Sequence, residues 1–466
     1  MKRKSQLRIL VVIFGLACAA HTFAQARGPV YGNLRYEDDY SYLNNSQARG
    51  NDPFNRLKKI PVGGNIALTF GGQYRFRFEN DSNRRLGAST PQAQDFFLNR
   101  LYLFAEMEIA RRVRFFGEFK YASVIDNELP VPLHTHDQPD VQNLFAEFWL
   151  APQTPNKLGL RVGRQELQLG KQRVIGPGDW TNSRRTFQGA RMSAQLASWK
   201  LDLFGVRPVE LQPEEINPAD QSQNLLGLHA QRTQKGRLFA VYYLRLKEND
   251  RLIKDSRGAA GDYLYHTVGA NFDGSRGNWD WTNEAAYQFG KFGADNIQAY
   301  MISLESGYTF AKLPAQPRLG VGFDLASGDD DPADDKQQTF NQLFPTAHPF
   351  LGWADQVGRQ NIQAMSLLLT LRPLKRVTLK LQGFDFNLNA QRDAHYNAAG
   401  AAVRRNSTGT VGKDLGTEFD TELTVNCCRH NSFVFGYARF MPGAFIKQTG
   451  PSQTHNLFYV MVPVRF

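Results

Sequence analysis

The chain has 466 residues, three of them cysteine, with 55 basic against 44 acidic side chains and a formal charge of +11. A soluble protein of this length divides into two or three domains, yet no Pro/Ser/Gly-rich linker or composition shift interrupts this one. Beyond Ala26 no apolar run approaches the roughly 20 residues of a membrane helix, which excludes a helical membrane protein, while the mean hydropathy of −0.45 suits strands that alternate lipid-facing apolar with lumen-facing polar side chains.

At the N-terminus Lys2, Arg3, Lys4 and Arg8 lead into an apolar stretch from Ile9 to Ala20 and then small residues, the pattern of a cleavable signal peptide. Ala24 and Ala26 place the cut before Arg27; Thr22 and Ala24 would place it before Gln25. We read residues 1–26 as signal, 27–64 as a periplasmic or lumen segment and 65–466 as barrel strands and loops. Gly15 stands where a lipoprotein signal needs a branched apolar residue, which argues against acylation of Cys18. The mature chain then keeps Cys427 and Cys428, neighbours that cannot staple distant parts. They form either a strained vicinal disulfide or, as we expect, an inert pair of thiols in a turn.

Period-two patterning fills the rest. Leu68, Phe70, Tyr74, Phe76 and Phe78 make an apolar face opposed by Gln73, Arg75, Arg77 and Glu79. Leu101, Leu103, Ala105, Met107 and Ile109 alternate with Arg100, Tyr102, Phe104, Glu106 and Glu108; after an Arg111-Arg112 turn, Val113, Phe115, Phe119 and Tyr121 alternate with Arg114, Glu118 and Lys120. Further strands are expected near 141–150, 157–169, 185–196, 200–206, 224–233, 237–247, 263–273, 279–289, 296–310, 317–325, 361–372, 377–387, 413–425, 432–441 and 455–466. The total is about 18, an even number as bacterial barrels require. In the final strand Phe458, Val460, Val462 and Val464 lead to a terminal Phe466, and such an ending resembles the signal read by the barrel-insertion machinery.

The connections test this register independently, because outer-membrane barrels have short periplasmic turns and longer external loops. With both termini periplasmic, the turns at 111–112, 151–156, 197–199, 234–236, 274–278, 311–316, 373–376 and 426–431 are short, and the intervening loops are mostly long. Only 290–295 breaks the rhythm. The expected fold is therefore a single antiparallel barrel in the outer membrane of a Gram-negative bacterium, wide enough for a water-filled channel.

Charges on the lipid face cost about 2–4 kcal/mol near the midplane, so strand Arg, Lys, Asp and Glu are assigned inward. Removing the signal lowers the formal charge from +11 to +7, and a basic lumen concentrates carboxylates, phosphates and sulfates. The candidates for gripping an anion are Arg75, Arg77, Arg100, Lys120, Arg161, Arg185 and Arg191 on expected inward positions of the first six strands, with Arg164 and Arg173 close by. Arginine suits the task through its planar two-pronged donor geometry and permanent charge. Against this, Glu79, Glu106, Glu108, Glu118 and Glu147 also point inward and can pair with these bases across strands.

Asp329, Asp330 and Asp331, with Asp334 and Asp335, form an acidic run in the longest external loop; it is read as solvated or bridged to lipopolysaccharide, with a Ca²⁺ site as the alternative. No other cofactor is expected. His134 and His136 sit with Asp137 and Asp140 in another external loop as a solvated pair rather than metal ligands, and Trp149, Trp199, Trp279, Trp281 and Phe466 suit interfacial girdles. The expected partners are an anionic solute, outer-membrane lipid and lipopolysaccharide, and, if polymer is exported, periplasmic export proteins on the short-turn side, but not nucleic acid. No G-x-S-x-G elbow or comparable catalytic pattern supports an outer-membrane hydrolase.

Three segments resemble the alginate export family: Tyr36-Glu37-Asp38-Asp39-Tyr40-Ser41-Tyr42 with Pro53-Phe54 and Leu57-Lys58; GRQELQLGKQRVIGPGDWTNSRRTFQGAR across Gly163–Arg191; and Gly328-Asp329-Asp330-Asp331-Pro332 followed by Asn341-Gln342-Leu343-Phe344-Pro345 and His348-Pro349-Phe350. The resemblance spans nearly all of the mature chain and implies an outer-membrane barrel with an Arg/Lys-lined constriction that exports an anionic polysaccharide such as alginate. A general or small-organic-acid uptake porin on the same barrel is the alternative.

Overall fold

The computed structural model describes residues 31–44, 50, 52–128, 135–152, 154, 156–249, 261–331 and 333–466, so the expected signal peptide and His134 lie outside the described residues. Its body is one closed sheet of long strands: β1 (Ile66–Ser82), β2 (Ala93–Ile109), β3 (Val113–Ile125), β4 (Asp137–Leu150), β5 (Lys157–Gln165), β6 (Phe187–Leu196), β7 (Trp199–Pro208), β8 (Gln223–Gln234), β9 (Arg237–Glu248), β10 (Tyr263–Arg276), β11 (Trp279–Phe292), β12 (Asp295–Thr309), β13 (Arg318–Ala326), β14 (Ile362–Leu374), β15 (Val377–Asn387), β16 (Asp414–Asn426), β17 (Ser432–Pro442) and β18 (His455–Arg465). Each pairs antiparallel with its sequence neighbours, and β1 meets β18 from Gln73↔Arg465 to Ser82↔Asn456, so the 18-strand ring has no edge. Closure pairs backbone donors and acceptors that lipid cannot satisfy.

The alternation read from sequence sorts the two faces as expected. Phe70, Leu103, Phe115, Phe119, Leu144 and Leu160 are exposed on the outside, whereas Gln73, Arg75, Arg77, Arg100, Glu118 and Lys120 are buried inside. At one end the connections are short, including 110–112, 197–198, 235–236, 277–278 and 375–376; this is the periplasmic end by the usual asymmetry. The irregularity expected at 290–295 is a two-residue turn, 293–294, on the external side. Two expected strands are shorter than read. The one near 157–169 stops at Gln165 and the one near 185–196 starts at Phe187, because 166–186 folds back into the barrel. Trp199, Trp279 and Trp281 stand at the short-turn end, and Phe466 extends the β1–β18 ladder by bonding Gly72 in both directions. Trp149 differs from expectation: it shares the inward register of Glu147 and covers Gly159 of β5. Cys427 and Cys428 stand in the 427–431 turn as thiols and form no disulfide.

Inside, the wall is built by a repeated device in which an aromatic ring on one strand lies over glycine on the next. Phe204 faces Gly227, Tyr242 faces Gly269 and Tyr459 faces Gly436, and a Cβ added at any of the three would stand 2.0 to 2.2 Å from the ring. The missing side chain lets the ring lie flat against the sheet, pinning register. Gly436→Leu should therefore cost about 1–3 kcal/mol by overpacking. Urea titration of the refolded protein in micelles checks this, with Gly383→Leu, where nothing stands within 4 Å, as the tolerant control.

The external loops pack on one another. Ile175 bridges Phe344, Gly176 N–H donates to the Phe344 carbonyl at 2.8 Å, and Asn361 Nδ2 donates to the Ala390 and Ala394 carbonyls. His395 is fully buried, its Nε2 donating to the Gln356 carbonyl at 2.8 Å. Burial pushes its pKa down from 6.5 to about 4. The folded loops thus hold the neutral imidazole, and the stability they contribute is complete above about pH 6.5 and lost as pH falls towards 4. Asp329, pushed up to about 6 by burial and by Asp393, acts in the opposite sense. Amide-exchange protection of residues 388–413 should fall over this acid range in the wild type, and His395→Gln should flatten that dependence.

Candidate functional site

Inside the barrel the 166–186 loop meets β1 and β2. Arg75 and Arg100 are register partners, a like-charge pair that would repel if left alone. The loop resolves the conflict with its carbonyl groups. Arg75 donates to the carbonyls of Asp179 (2.6 Å), Trp180 (3.2 Å) and Thr181 (2.8 Å), and Arg100 donates to those of Asp179 (2.9 Å) and Thr181 (3.1 Å). Arg77 donates to the Trp180 carbonyl at 2.6 Å and lies 3.8 Å over its indole. Among the described residues Arg75 has no carboxylate partner, whereas Arg77 lies beside Glu79 and Arg100 beside Asp179. The Asp179 carboxyl, raised by burial but held down more strongly by Arg100, Arg184 and Arg75, stays well below the usual carboxylate range. Asn182 fixes the turn to the wall by donating to the carbonyls of Asn99, Ser123 and Thr135.

A second inward loop, 327–361, meets the wall with the opposite polarity. On β16, three strands round from β1, Glu418 and Asp420 accept the backbone N–H groups of Ala354 (2.8 Å) and Trp353 (3.2 Å). The two loops meet where the Trp180 indole stacks on the His348 imidazole, centroids 3.8 Å apart.

Towards the short-turn end the N-terminal segment enters the barrel. The turn Arg35–Glu37 buries Arg35 and Tyr36. Arg35 forms a two-pronged ion pair with Glu118 and lies over the Tyr102 ring. Tyr36 packs edge-on against Phe116 and Phe145, and its hydroxyl donates to the Glu166 carbonyl at 2.5 Å. Arg161 lies 4.5 Å over Tyr36 while donating to Glu147, and Arg114 donates to the Tyr36 carbonyl.

The predicted residues thus divide. Arg75, Arg77 and Arg100 converge as expected. Arg161 and Arg191 face inward but are ladder members, tied to Glu147 and Asp202 respectively. Lys120 is held by Asp137 (2.5 Å) and Asp140 (3.3 Å). Those two acids, expected in an external loop, belong to the inward face of β4 instead, because the strand begins at Asp137. Arg164 does not line the pore by position: it pairs with Leu144 and Gln188 on the outward register and turns at the external rim to Asp140 and the Asn217 carbonyl. Arg185 is a loop residue rather than a strand residue, donating to the carbonyls of Gly176 and Pro345, with burial pushing its pKa down to about 10. Arg173 is buried in the same loop beside Glu284 and the Phe350 ring. Asp329 turns inward, its N–H on Asp393, while Asp330 and Asp331 are exposed, and among the described residues no group of three or more potential metal ligands forms. His136 stands 3.9 Å from Glu214.

Sequence reasoning missed Arg35 and Arg184, which with Glu118, Glu166 and Asp179 join the N-terminal segment to the loop. The signal for Arg184 was present in the Asp-Trp-Thr-Asn-Ser-Arg-Arg run; for Arg35 nothing in strand periodicity could reveal it. Leaving one member of a buried ion pair unpaired costs about 3–5 kcal/mol. Arg35→Ala should therefore free the N-terminal segment from the lumen, seen as faster cleavage within residues 31–44 by protease added to the short-turn side and as a larger single-channel conductance.

Comparison with known proteins agrees with this architecture. The barrel is similar to a BenF-like porin from Pseudomonas fluorescens Pf-5 (TM-score 0.58, 12% identity, 86% of this chain and 99% of that one). It is also similar to the outer-membrane protein OpdK from Pseudomonas aeruginosa (TM-score 0.56, 11% identity, 86% and 98%) and to that protein solved with vanillate (TM-score 0.56, 9% identity, 85% and 98%). No curated protein matches. The model of the family described as alginate export matches residues 66–460, almost the entire barrel, and the chain belongs to that family of outer-membrane channels.

Proposed function

We propose that the lumen passes anionic solutes, and that an anionic polysaccharide such as alginate is exported along it. The observation that carries this reading is the clamp of Arg75, Arg77 and Arg100 on one loop turn, with Arg75 and Arg185 satisfied by neutral carbonyls rather than by carboxylates. A guanidinium met by carbonyls keeps its full charge, so the local field is positive. Its parallel N–H donors also fit the two oxygens of a uronate carboxylate. Elsewhere in the lumen most bases already have acids, which keeps any one site weak enough to release a repeating polyanion. In a polymer-exporting cell, periplasmic export proteins would dock on the short-turn end, where the N-terminal segment enters.

One observation favours the smaller-solute alternative. Arg75, Arg77 and Arg100 are 2%, 2% and 0% exposed beneath the loop, so a solute must displace the loop to reach them, which suits a small organic acid better than a polymer. Planar-bilayer recordings separate the two: oligouronate should block single channels stepwise at concentrations where a monocarboxylic acid does not. Replacing Arg75, Arg77 and Arg100 together by Gln should remove the anion preference measured as reversal potential in a salt gradient. Unchanged ion preference would sink the anion reading, and block by small acids alone would replace the polymer with them.

A further inference from the structure

The outer face of the barrel is apolar through its middle, and charges on it mark where lipid tails give way to headgroups. On three adjacent strands these charges are all basic. In one rung Lys247 of β9, Leu264 of β10 and Lys291 of β11 are register partners; in the next rung towards the membrane stand Arg245, His266 and Phe289. All six lie on the outward register, opposite in parity to the buried Leu244, Leu246, Tyr265 and Gln288. With strands about 4.8 Å apart, Lys247 and Lys291 are about 10 Å from each other, with Arg245 about 7 Å below.

Two features separate this patch from ordinary surface lysines. Among the described residues Arg245, Lys247 and Lys291 make no ion pair, and Glu248, next to Lys247, is buried on the inward face. Beneath the charges is an aromatic floor: Tyr243 hydroxyl bonds His266 Nδ1 at 2.7 Å and Phe289 stacks on the imidazole with centroids 5.0 Å apart. The patch also stands beside the two-residue turn 293–294, so the rim there is not overhung by that connection. Elsewhere round the external rim the outward charges include the exposed acids Asp95 and Asp385.

We propose that Arg245, Lys247 and Lys291, with His266 between them, form a docking site on the barrel exterior for the phosphorylated headgroup of an outer-leaflet glycolipid. Charge complementarity supplies the partner: three cations with no ion pair among the described residues, at headgroup height above an apolar wall that takes acyl chains, match a lipid carrying more than one phosphate. The site is independent of whatever the lumen carries, so the solute reading can fail without affecting it.

The test uses the full mature barrel in detergent, titrated with bisphosphorylated glycolipid, with the same glycolipid after phosphatase treatment, with phosphatidylglycerol and with inorganic phosphate, bound lipid being counted by native mass spectrometry. The wild type should retain the bisphosphorylated glycolipid in preference to the other three. Arg245→Gln, Lys247→Gln and Lys291→Gln combined should weaken retention about 100-fold, at about a factor of five for each basic side chain lost near an anionic headgroup. Arg439→Gln, on the outward face of β17, should leave it unchanged. Equal retention of the dephosphorylated lipid or of phosphatidylglycerol by the wild type would overturn the proposal without any variant being needed, as would full retention by a triple variant that still shows heat-modifiable migration.

Discussion

In lipid every backbone N–H and C=O must find its partner within the protein, and a closed sheet is the solution this chain adopts. Closure fixes more than strand pairing. Because side chains alternate, a ring of 18 strands turns one residue in two towards a shared interior, and the polar and charged members are forced there by the cost of facing lipid. That interior is wider than its wall side chains can fill. What fills it here is more of the chain: the N-terminal segment from the short-turn end and the loops 166–186 and 327–361 from the other.

The wall chemistry dictates how those segments are held. Arg75 and Arg100 face each other across a strand pair, and a loop carbonyl is the neutral acceptor that quiets their repulsion without cancelling their charge. On β16 the mirror arrangement appears, with backbone N–H groups meeting Glu418 and Asp420. Ion pairs such as Lys120 with Asp137 or Arg191 with Asp202 cancel locally and stiffen the wall. The carbonyl-met guanidiniums of Arg75 and Arg185 do not cancel, and both are held by carbonyls of the 166–186 loop.

Strand periodicity made the barrel legible from sequence, because a one-residue slip would have exchanged the Phe115–Phe119–Tyr121 face for Arg114–Glu118–Lys120. The short turn at 293–294 was visible for the same reason. The limits of β5 and β6 were less so: Glu166 to Thr186 carries enough alternation to extend both strands, and only tertiary contact shows that Arg185 bonds loop carbonyls instead of standing on the wall. Arg164 enters the candidate set through the family-like segment and not through alternation; three residues from the inward Arg161, it shares the outward register of Leu144. Arg35 was invisible because no periodic pattern marks a segment that earns its place by entering a cavity others create.

On the proposed anion route, the arrangement also decides what a passing solute must do. Both terminal nitrogens of Arg75 are already occupied by the carbonyls of Asp179, Trp180 and Thr181, while its Nε has no hydrogen-bond partner among the described residues, so a carboxylate that takes both prongs must displace a loop carbonyl. Such an exchange trades one set of hydrogen bonds for a charge-assisted set, and its net gain is small because the loop must leave contacts such as the Trp180–His348 stack. A small net gain at each step is what throughput requires, since a site that held its anion tightly would stall the channel. On the proposed anion route the loop is therefore part of the selectivity machinery rather than an obstacle to it: it holds the basic wall in place between solutes and competes for that wall while one is passing.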